Sequence, residues 1–247
     1  MKTFAADLHI HTALSPCASE EMTPPAIVQA AVDRGLAMIA ICDHNAAGNT
    51  AATQEAAGER LSVVAGMEIT TVEECHVLGL FPDVKSAEAA ASEVLGTLPV
   101  ASAGDEQQFG SQVLMDAAGR AVGREKRLLA VASGLDLPAA VRLIHEHDGL
   151  ALAAHVNRPS FSVLSQLGVF PADAGFDAIE VFTPAGGAAK ALPEAVAALG
   201  LAVVASSDSH YLGDIGSVQT TLVMEAPTFA ELVQAMRGNG KREVRVA

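Results

Sequence analysis

Thr3-Phe4-Ala5-Ala6-Asp7-Leu8-His9-Ile10-His11 carries an apolar run that ends in two histidines two positions apart. Thr3–Ile10 reads as a β-strand. Residues at i and i+2 share a face of a strand, so His9 and His11 present two imidazoles to one side, a spacing that suits a single metal ion. The same pattern returns along the chain. The apolar run Leu36–Cys42 leads into Asp43-His44-Asn45, and Leu61–Ala65 with Met67–Thr70 contains Glu68. Leu150–Ala154 leads into His155, and Leu201–Ser206 into Ser207-Asp208-Ser209-His210. His76 instead opens its strand, His76–Phe81. Short buried strands alternate with Ala-rich amphipathic stretches, which predicts βα units and a parallel sheet. Six to eight such units fit a closed or distorted βα barrel better than a doubly wound sheet, and no GxGxxG or GxxxxGK[ST] motif occurs. In such a barrel the C-terminal strand ends form the active face. Imidazoles gathered there with Asp43, Glu68 and Asp208 read as a metal cluster.

The remaining elements follow from caps and turns. Thr23 and Pro24 open a helix that ends before Gly35, and Asn45–Gly58 reads as another. Ser86 is placed as the cap of a helix to about Leu98. Asp136, with Pro138 in the first turn, caps one that ends at Asp148-Gly149. Further helices are expected at about 188–199 and 228–237, with a strand at Val218–Met224. Residues 99–132 break the rhythm. They contain a hairpin, Gln112–Asp116 turning through Ala117–Arg120 to Ala121–Val122, and are read as an insertion within a single 1–247 domain.

The 247 residues are 50% hydrophobic, with no Trp and one Tyr, so the core is built from Ala, Val, Leu and Ile. The formal charge of −14 disfavours a long nucleic-acid groove or an anionic membrane surface. Three cysteines without a CxxC pattern point to a reduced, cytoplasmic setting, and no apolar stretch approaches the length of a membrane span. A buried carboxylate at Glu68 is costly unless paired or on a metal. Cys42 and Cys75 neighbour candidate ligands but point the other way on their strands, into the core. His145 and His147 lie near a helix end, where i and i+2 do not share a face, and read as solvated.

Taken in order, Asp7-Leu8-His9-Ile10-His11, Asp43-His44-Asn45, Gly66-Met67-Glu68, His76, Ala154-His155 and Ser207-Asp208-Ser209-His210 resemble the motifs of the PHP (polymerase and histidinol phosphatase) family of metal-dependent phosphoesterases. The resemblance implies an α/β fold, a distorted (β/α)7 TIM-like barrel, with two or three divalent ions (zinc, manganese or iron) at the strand C-termini. It implies one ion on His9, His11, Glu68 and Asp208, with Glu68 bridging to a second on His76 and His155. A third would use His44 and His210. Several members place a histidine six positions after HxH; here that position is Cys17, a thiol that suits zinc or iron better than manganese.

The chemistry expected is hydrolysis of a small phosphorylated metabolite or nucleotide by a hydroxide bridging two metals, with Arg158 clamping phosphoryl oxygens. Asp7, Asp43 and Glu180 are expected to orient ligand imidazoles or bind substrate. His210 or a metal-bound water would protonate the leaving group. Two alternatives stand beside this reading: a short-oligonucleotide exonuclease, for which Arg124, Lys126 and Arg127 offer the only local basic cluster, and a non-catalytic metal-binding module. A carbon–nitrogen amidohydrolase is a further barrel possibility. Bound divalent ions dominate local charge, so an acidic protein can still present an electropositive site.

Overall fold

The computed structural model describes residues 1–184 and 192–246. The first half runs β1 (Lys2–Ile10), α1 (Pro24–Asp33), β2 (Met38–Ile41), α2 (Thr50–Ala57), β3 (Ser62–Thr70), β4 (His76–Phe81), α3 (Val84–Thr97), α4 (Ala103–Phe109), β5 (Val113–Met115) and β6 (Ala121–Arg124). The second half runs α5 (Leu137–Glu146), β7 (Leu150–Ala153), α6 (Val163–Leu167), β8 (Ala178–Val181), α7 (Glu194–Ala197), β9 (Ala202–Ala205), β10 (Thr220–Met224), α8 (Phe229–Met236) and β11 (Glu243–Val246). Among the described residues, nine strands form one sheet in the order β11-β10-β1-β2-β3-β4-β7-β8-β9. Its two edges, β11 and β9, lie against each other, so the sheet curls into a nearly closed barrel.

The sheet is mixed, which corrects the all-parallel expectation. β1, β2 and β3 run parallel, as do β7, β8 and β9, but β4 is antiparallel to both β3 and β7, and β10 to β1 and β11. The reason lies in the connection. Only residues 71–75 join β3 to β4, too few for the crossover that a parallel pair needs. This reversal puts His76, the first residue of β4, opposite Thr70, the last of β3. A histidine that opens its strand therefore sits on the same rim as those that close theirs.

Apolar side chains fill both faces. Leu8, Met38, Ala40, Leu78, Leu152 and Val204 converge inside the barrel. Ile10, Ile39 and Ile41 pack outward under α1, while Ile69, Val77, Phe81 and Ala153 pack under α3 and α5. β1 changes parity on the way: its register against β2 slips between Asp7 and Ile10, so Leu8 and His9 both leave the outer face. Gly66 on β3 has no room for a side chain, since a Cβ there would lie 2.9 Å from both Cys42 Sγ and Ile41 O. That closeness seats β3 tightly on β2 just below Glu68.

Several local readings are corrected. α2 starts at Thr50 rather than Asn45, which instead takes a left-handed φ of 52°. α3 is capped by Asp83, whose side chain accepts from Ser86 N, so Ser86 is a capped residue and not the cap. Asp136 does cap α5. Of the helix expected at 188–199, residues 188–191 lie outside the described residues, and α7 is the part seen. The hairpin at 112–122 is present as β5 and β6. The helix α4 inside the same segment was not anticipated, although Ser102 and Asp105 form a capping box that advertised it.

Two buried amides, Asn45 and Asn49, stitch the 99–132 segment to the barrel, and a third, Gln112, braces it from within. Asn45 Nδ2 donates to the carbonyls of Leu129 and Val131, and its Oδ1 accepts from Thr70 N. Asn49 binds Val113 O and Met115 N, and Gln112 binds the carbonyls of Glu125 and Arg127 and the amide of Leu129. No helix among the described residues is long and apolar enough to cross a membrane.

Candidate metal centre

The C-terminal rim of the barrel brings together His9, His11, His44, Glu68, His76, His155, Asp208 and His210. Among the described residues, three overlapping groups have ligand atoms close enough to share an ion: His9, His11 and Asp208; His44, Glu68 and His76; and His11, His44 and His210.

The hydrogen bonds fix which nitrogen of each ring faces the cluster. His9 Nδ1 lies 3.1 and 3.2 Å from the two oxygens of the buried Glu180 carboxylate, so Nδ1–H donates there and Nε2 is turned toward the other ligands. His11 Nδ1 is 2.9 Å from Ser15 Oγ, and that hydroxyl is committed as a donor to Asp43 Oδ1 at 2.6 Å. His11 therefore donates from Nδ1 and leaves Nε2 bare. His210 Nδ1 donates to the Asp208 carbonyl at 2.9 Å, which leaves its Nε2 as the atom that can bind a metal or carry a second proton. His9 Nε2 and His11 Nε2 then face each other at 3.1 Å, and Asp208 Oδ1 stands 3.2 Å from one and 3.5 Å from the other. Burial opposes a charge on His9, but Glu180, Asp208 and Glu68 outweigh it, so the three atoms converge on a position suited to a cation, either a proton on His9 Nε2 or a metal ion in its place.

Glu68 makes the second convergence. It is 1% exposed, and its Oε1 lies 2.7 Å from His76 Nδ1, 3.1 Å from His155 Nε2 and 3.5 Å from His9 Nε2. Its Oε2 pairs with His44 Nδ1 at 2.9 Å, yet among the described residues neither atom has a partner in hydrogen-bond geometry, and both are buried. His155 Nδ1 is a further buried atom without a partner. Buried polar atoms of this kind are rare and need an occupant. Borderline imidazole and hard carboxylate donors together fit zinc, manganese or iron.

Protonation follows the same geometry. Burial opposes the charge of Glu68, but His76, His9 and His44 outweigh it and hold the carboxyl well below its usual range. Burial likewise opposes ionisation of Asp208, and His9 and His11 push its carboxyl well below the usual range. Burial drives His11 down, aided by His210 and His44, and drives His76 to about 4 despite Glu68. His44 resists the same burial and rises to about 10 through Glu68 and Cys17. Burial also works against the Cys17 thiolate, but the neighbouring His210 and His44 rings bring that thiol down to about 6.

The other sequence candidates fall into place around these atoms. Asp43 accepts from Thr12 N and Thr12 Oγ1, both at 2.7 Å, as well as from Ser15, so it acts on His11 through a serine that the sequence reading missed. Glu180 reaches His9 directly and also accepts from His155 N at 3.0 Å. Asp7 is corrected: it touches no imidazole and is sealed from substrate. Its carboxylate instead holds Ser207 and Gly216, pinning the loop that carries Asp208 and His210. Arg158 Nη1 pairs with Asp208 Oδ2 at 2.8 Å, on the far oxygen from His11. Cys42 and Cys75 are buried in the core, whereas Cys17 is exposed. His145 and His147 lie away from the rim, paired with Asp177 and Glu93.

Cys17, His44, His76, Arg158 and His210 border a pocket of about 480 Å³, walled on the other side by Phe109 of α4 and by Leu129–Ala132. Five of the six non-glycine residues with left-handed φ among the described residues stand on or beside this rim: Asn45, Glu74, His155, Phe161 and Asp208. Backbone held in such conformations clusters at functional sites.

Comparison with known proteins agrees with this picture. The PHP domain profile matches residues 7–162, and a PHP-associated profile matches 193–239. No curated protein matches by sequence. Among solved structures, endonuclease Q from Pyrococcus furiosus superposes with a TM-score of 0.75 at 18% identity, covering 98% of this chain and 58% of that one. The chain thus spans less than two thirds of that protein. A second endonuclease Q structure, in complex with a 27-mer duplex substrate carrying an abasic lesion at the active site, matches with the same values. A candidate metal-dependent phosphoesterase from Bifidobacterium adolescentis has a TM-score of 0.57 at 21% identity, over 83% of this chain and 87% of its own. An amidohydrolase from Chromobacterium violaceum with bound sulfate and no metal has 0.62 at 20%, over 98% and 97%. At these identities the superpositions establish the fold, and the profile match over most of the chain establishes kinship: the chain belongs to the PHP-domain family.

Proposed function

We propose that the chain is a metal-dependent hydrolase of phosphoric esters acting on a small phosphorylated substrate. The observation that carries this reading is the convergence of His9 Nε2, His11 Nε2 and Asp208 Oδ1 beside the buried Glu68 carboxylate, below a pocket bordered by an arginine. His9, His11, Glu68 and Asp208 would hold one ion and Glu68, His76 and His155 a second. His44, His210 and Cys17 surround the position of a third. Divalent ions there supply Lewis acidity toward a phosphoryl oxygen and acidify water at neutral pH.

The protein groups divide the remaining work. Glu180 and Ser15 keep His9 and His11 in the tautomer that offers Nε2. Asp43 fixes Ser15, and Asp7 fixes the Asp208 loop. Arg158 holds Asp208 and presents its guanidinium edge to the pocket, where it can bind phosphoryl oxygens in a bidentate manner. His210 is held above its ordinary value: burial opposes the charge, and Cys17 and Asp208 more than offset it. With its Nε2 protonated, His210 can give a proton to the leaving oxygen. Ligation of a third ion uses that same atom, so the two roles exclude each other.

A second reading, action on nucleic acid, is favoured by the endonuclease Q likeness and relaxes the exclusion of long nucleic acid drawn from the charge of −14. Release of phosphate from a mononucleotide, compared with cleavage of a short RNA and a DNA duplex, separates the readings. Faster mononucleotide hydrolysis supports the small substrate, and strand cleavage without it refutes that choice. His9→Ala and Asp208→Ala should each abolish whichever activity is found.

A further inference from the structure

Phe161 stands out at the pocket mouth. It takes a φ of 55°, a conformation that a bulky residue adopts only when its surroundings impose it. The imposed geometry has two visible effects. The Phe161 carbonyl accepts from His76 N at 2.9 Å, and the phenyl ring stacks on the His76 imidazole, with centroids 4.9 Å apart and planes 20° apart. The residue nevertheless remains 39% exposed and lines the pocket. An aromatic ring with one face backed by an imidazole and part of its surface open is a stacking platform.

The rest of the pocket matches such an occupant. Phe109, Leu129 and Val131 make an apolar wall facing an ionic floor. Arg158 is the one Lys or Arg among the described lining residues, enough for a single phosphoryl group. A second phosphate would meet the carboxylate of Glu74, which also borders the pocket. We infer that the site selects a monophosphate ester carried on a flat aromatic body, a nucleoside-like group, which stacks on Phe161 while its phosphoryl group lies toward Arg158. This specificity rests on the phosphoesterase reading above.

The test uses adenosine 5′-monophosphate and ribose 5-phosphate, which share the phosphate and sugar and differ in the ring. The chain has no tryptophan, so F161W installs a sole indole reporter. Its fluorescence should be quenched by the nucleotide and not by the sugar phosphate. In turnover, the ratio of kcat/KM for the nucleotide over the sugar phosphate should be about tenfold in the wild type, the size expected of one base stacked on one aromatic ring. The ratio should persist in F161Y and fall to about one in F161A. Because a ratio is read, any general damage to the His76 side of the site cancels. Equal quenching by both compounds, no quenching by either, or an F161A ratio equal to the wild-type one overturns the inference. Should the wild type hydrolyse neither ester, the phosphoesterase reading fails, and the quenching experiment still decides the stacking.

Discussion

Glu180→Gln is the perturbation that most sharply tests how the protein prepares its ligands. The Glu180 carboxylate accepts from His9 Nδ1 with both oxygens, at 3.1 and 3.2 Å, and from His155 N at 3.0 Å with Oε2. An amide of the same shape has one acceptor oxygen. If it serves His155 N, the amide NH2 faces the Nδ1–H of His9, and that imidazole is driven toward the tautomer with a proton on Nε2, the atom meant for the metal. Hydrogen bonds to charged groups contribute about 1.5–3 kcal/mol net. Loss of one that orients a ligand corresponds to a ~10–100-fold weaker metal affinity. The assay is competition for Zn²⁺ between the chelator-stripped protein and a chromophoric chelator, with the thermal midpoint of both metal-free proteins measured alongside. Equal midpoints with zinc affinity within about twofold of wild type would refute the assignment of proton positions at His9.

Other outcomes follow from the same structure. Asp43→Ala strands the donors of Thr12 and Ser15 in a fully buried setting, at a cost of about 2–4 kcal/mol, so the thermal midpoint of the metal-free protein should fall by several degrees. Iodoacetamide should modify Cys17 first, at a rate that rises through about pH 6, while Cys42 and Cys75 stay protected in the core; added zinc should slow the reaction at Cys17. The Arg242 guanidinium, paired with Glu231 at 2.8 Å on both oxygens, brings that carboxyl to about 2. A lowered carboxyl stabilises the fold above its ordinary range near 4.5 and loses that contribution as pH falls toward 2. Arg242→Met should raise the titration of Glu231 seen by NMR toward the ordinary range and remove that part of the acid dependence.

The rim was legible in the sequence because strand ends there are marked by chemistry: a histidine or carboxylate after an apolar run has no structural reason to recur. His76 needed more, since the antiparallel β4 that brings it to the rim is decided by a short connection and not by its own residues. Ser15 was invisible for another reason. It lies in the loop after β1, without periodicity, and its importance depends on Asp43 arriving from β2. Asp7 sat beside the HxH pattern and so was assigned to an imidazole, yet the register slip in β1 sends it to the loop after β9. The wall of the pocket was hidden because Asn45, Asn49 and Gln112 work through backbone carbonyls and amides far along the chain. Phe161, in an irregular loop, gave no pattern at all.

The central claim is that the histidine and carboxylate rim hydrolyses phosphoric esters only when it holds divalent ions. Titrating zinc or manganese into the chelator-stripped chain while following inorganic phosphate released from a mononucleotide tests it directly. No phosphate should be released without metal, release should rise to a plateau as the sites fill, and none should occur at any metal concentration in Glu68→Gln. Release from the stripped chain, or an unaltered plateau in the Glu68→Gln protein, would contradict it.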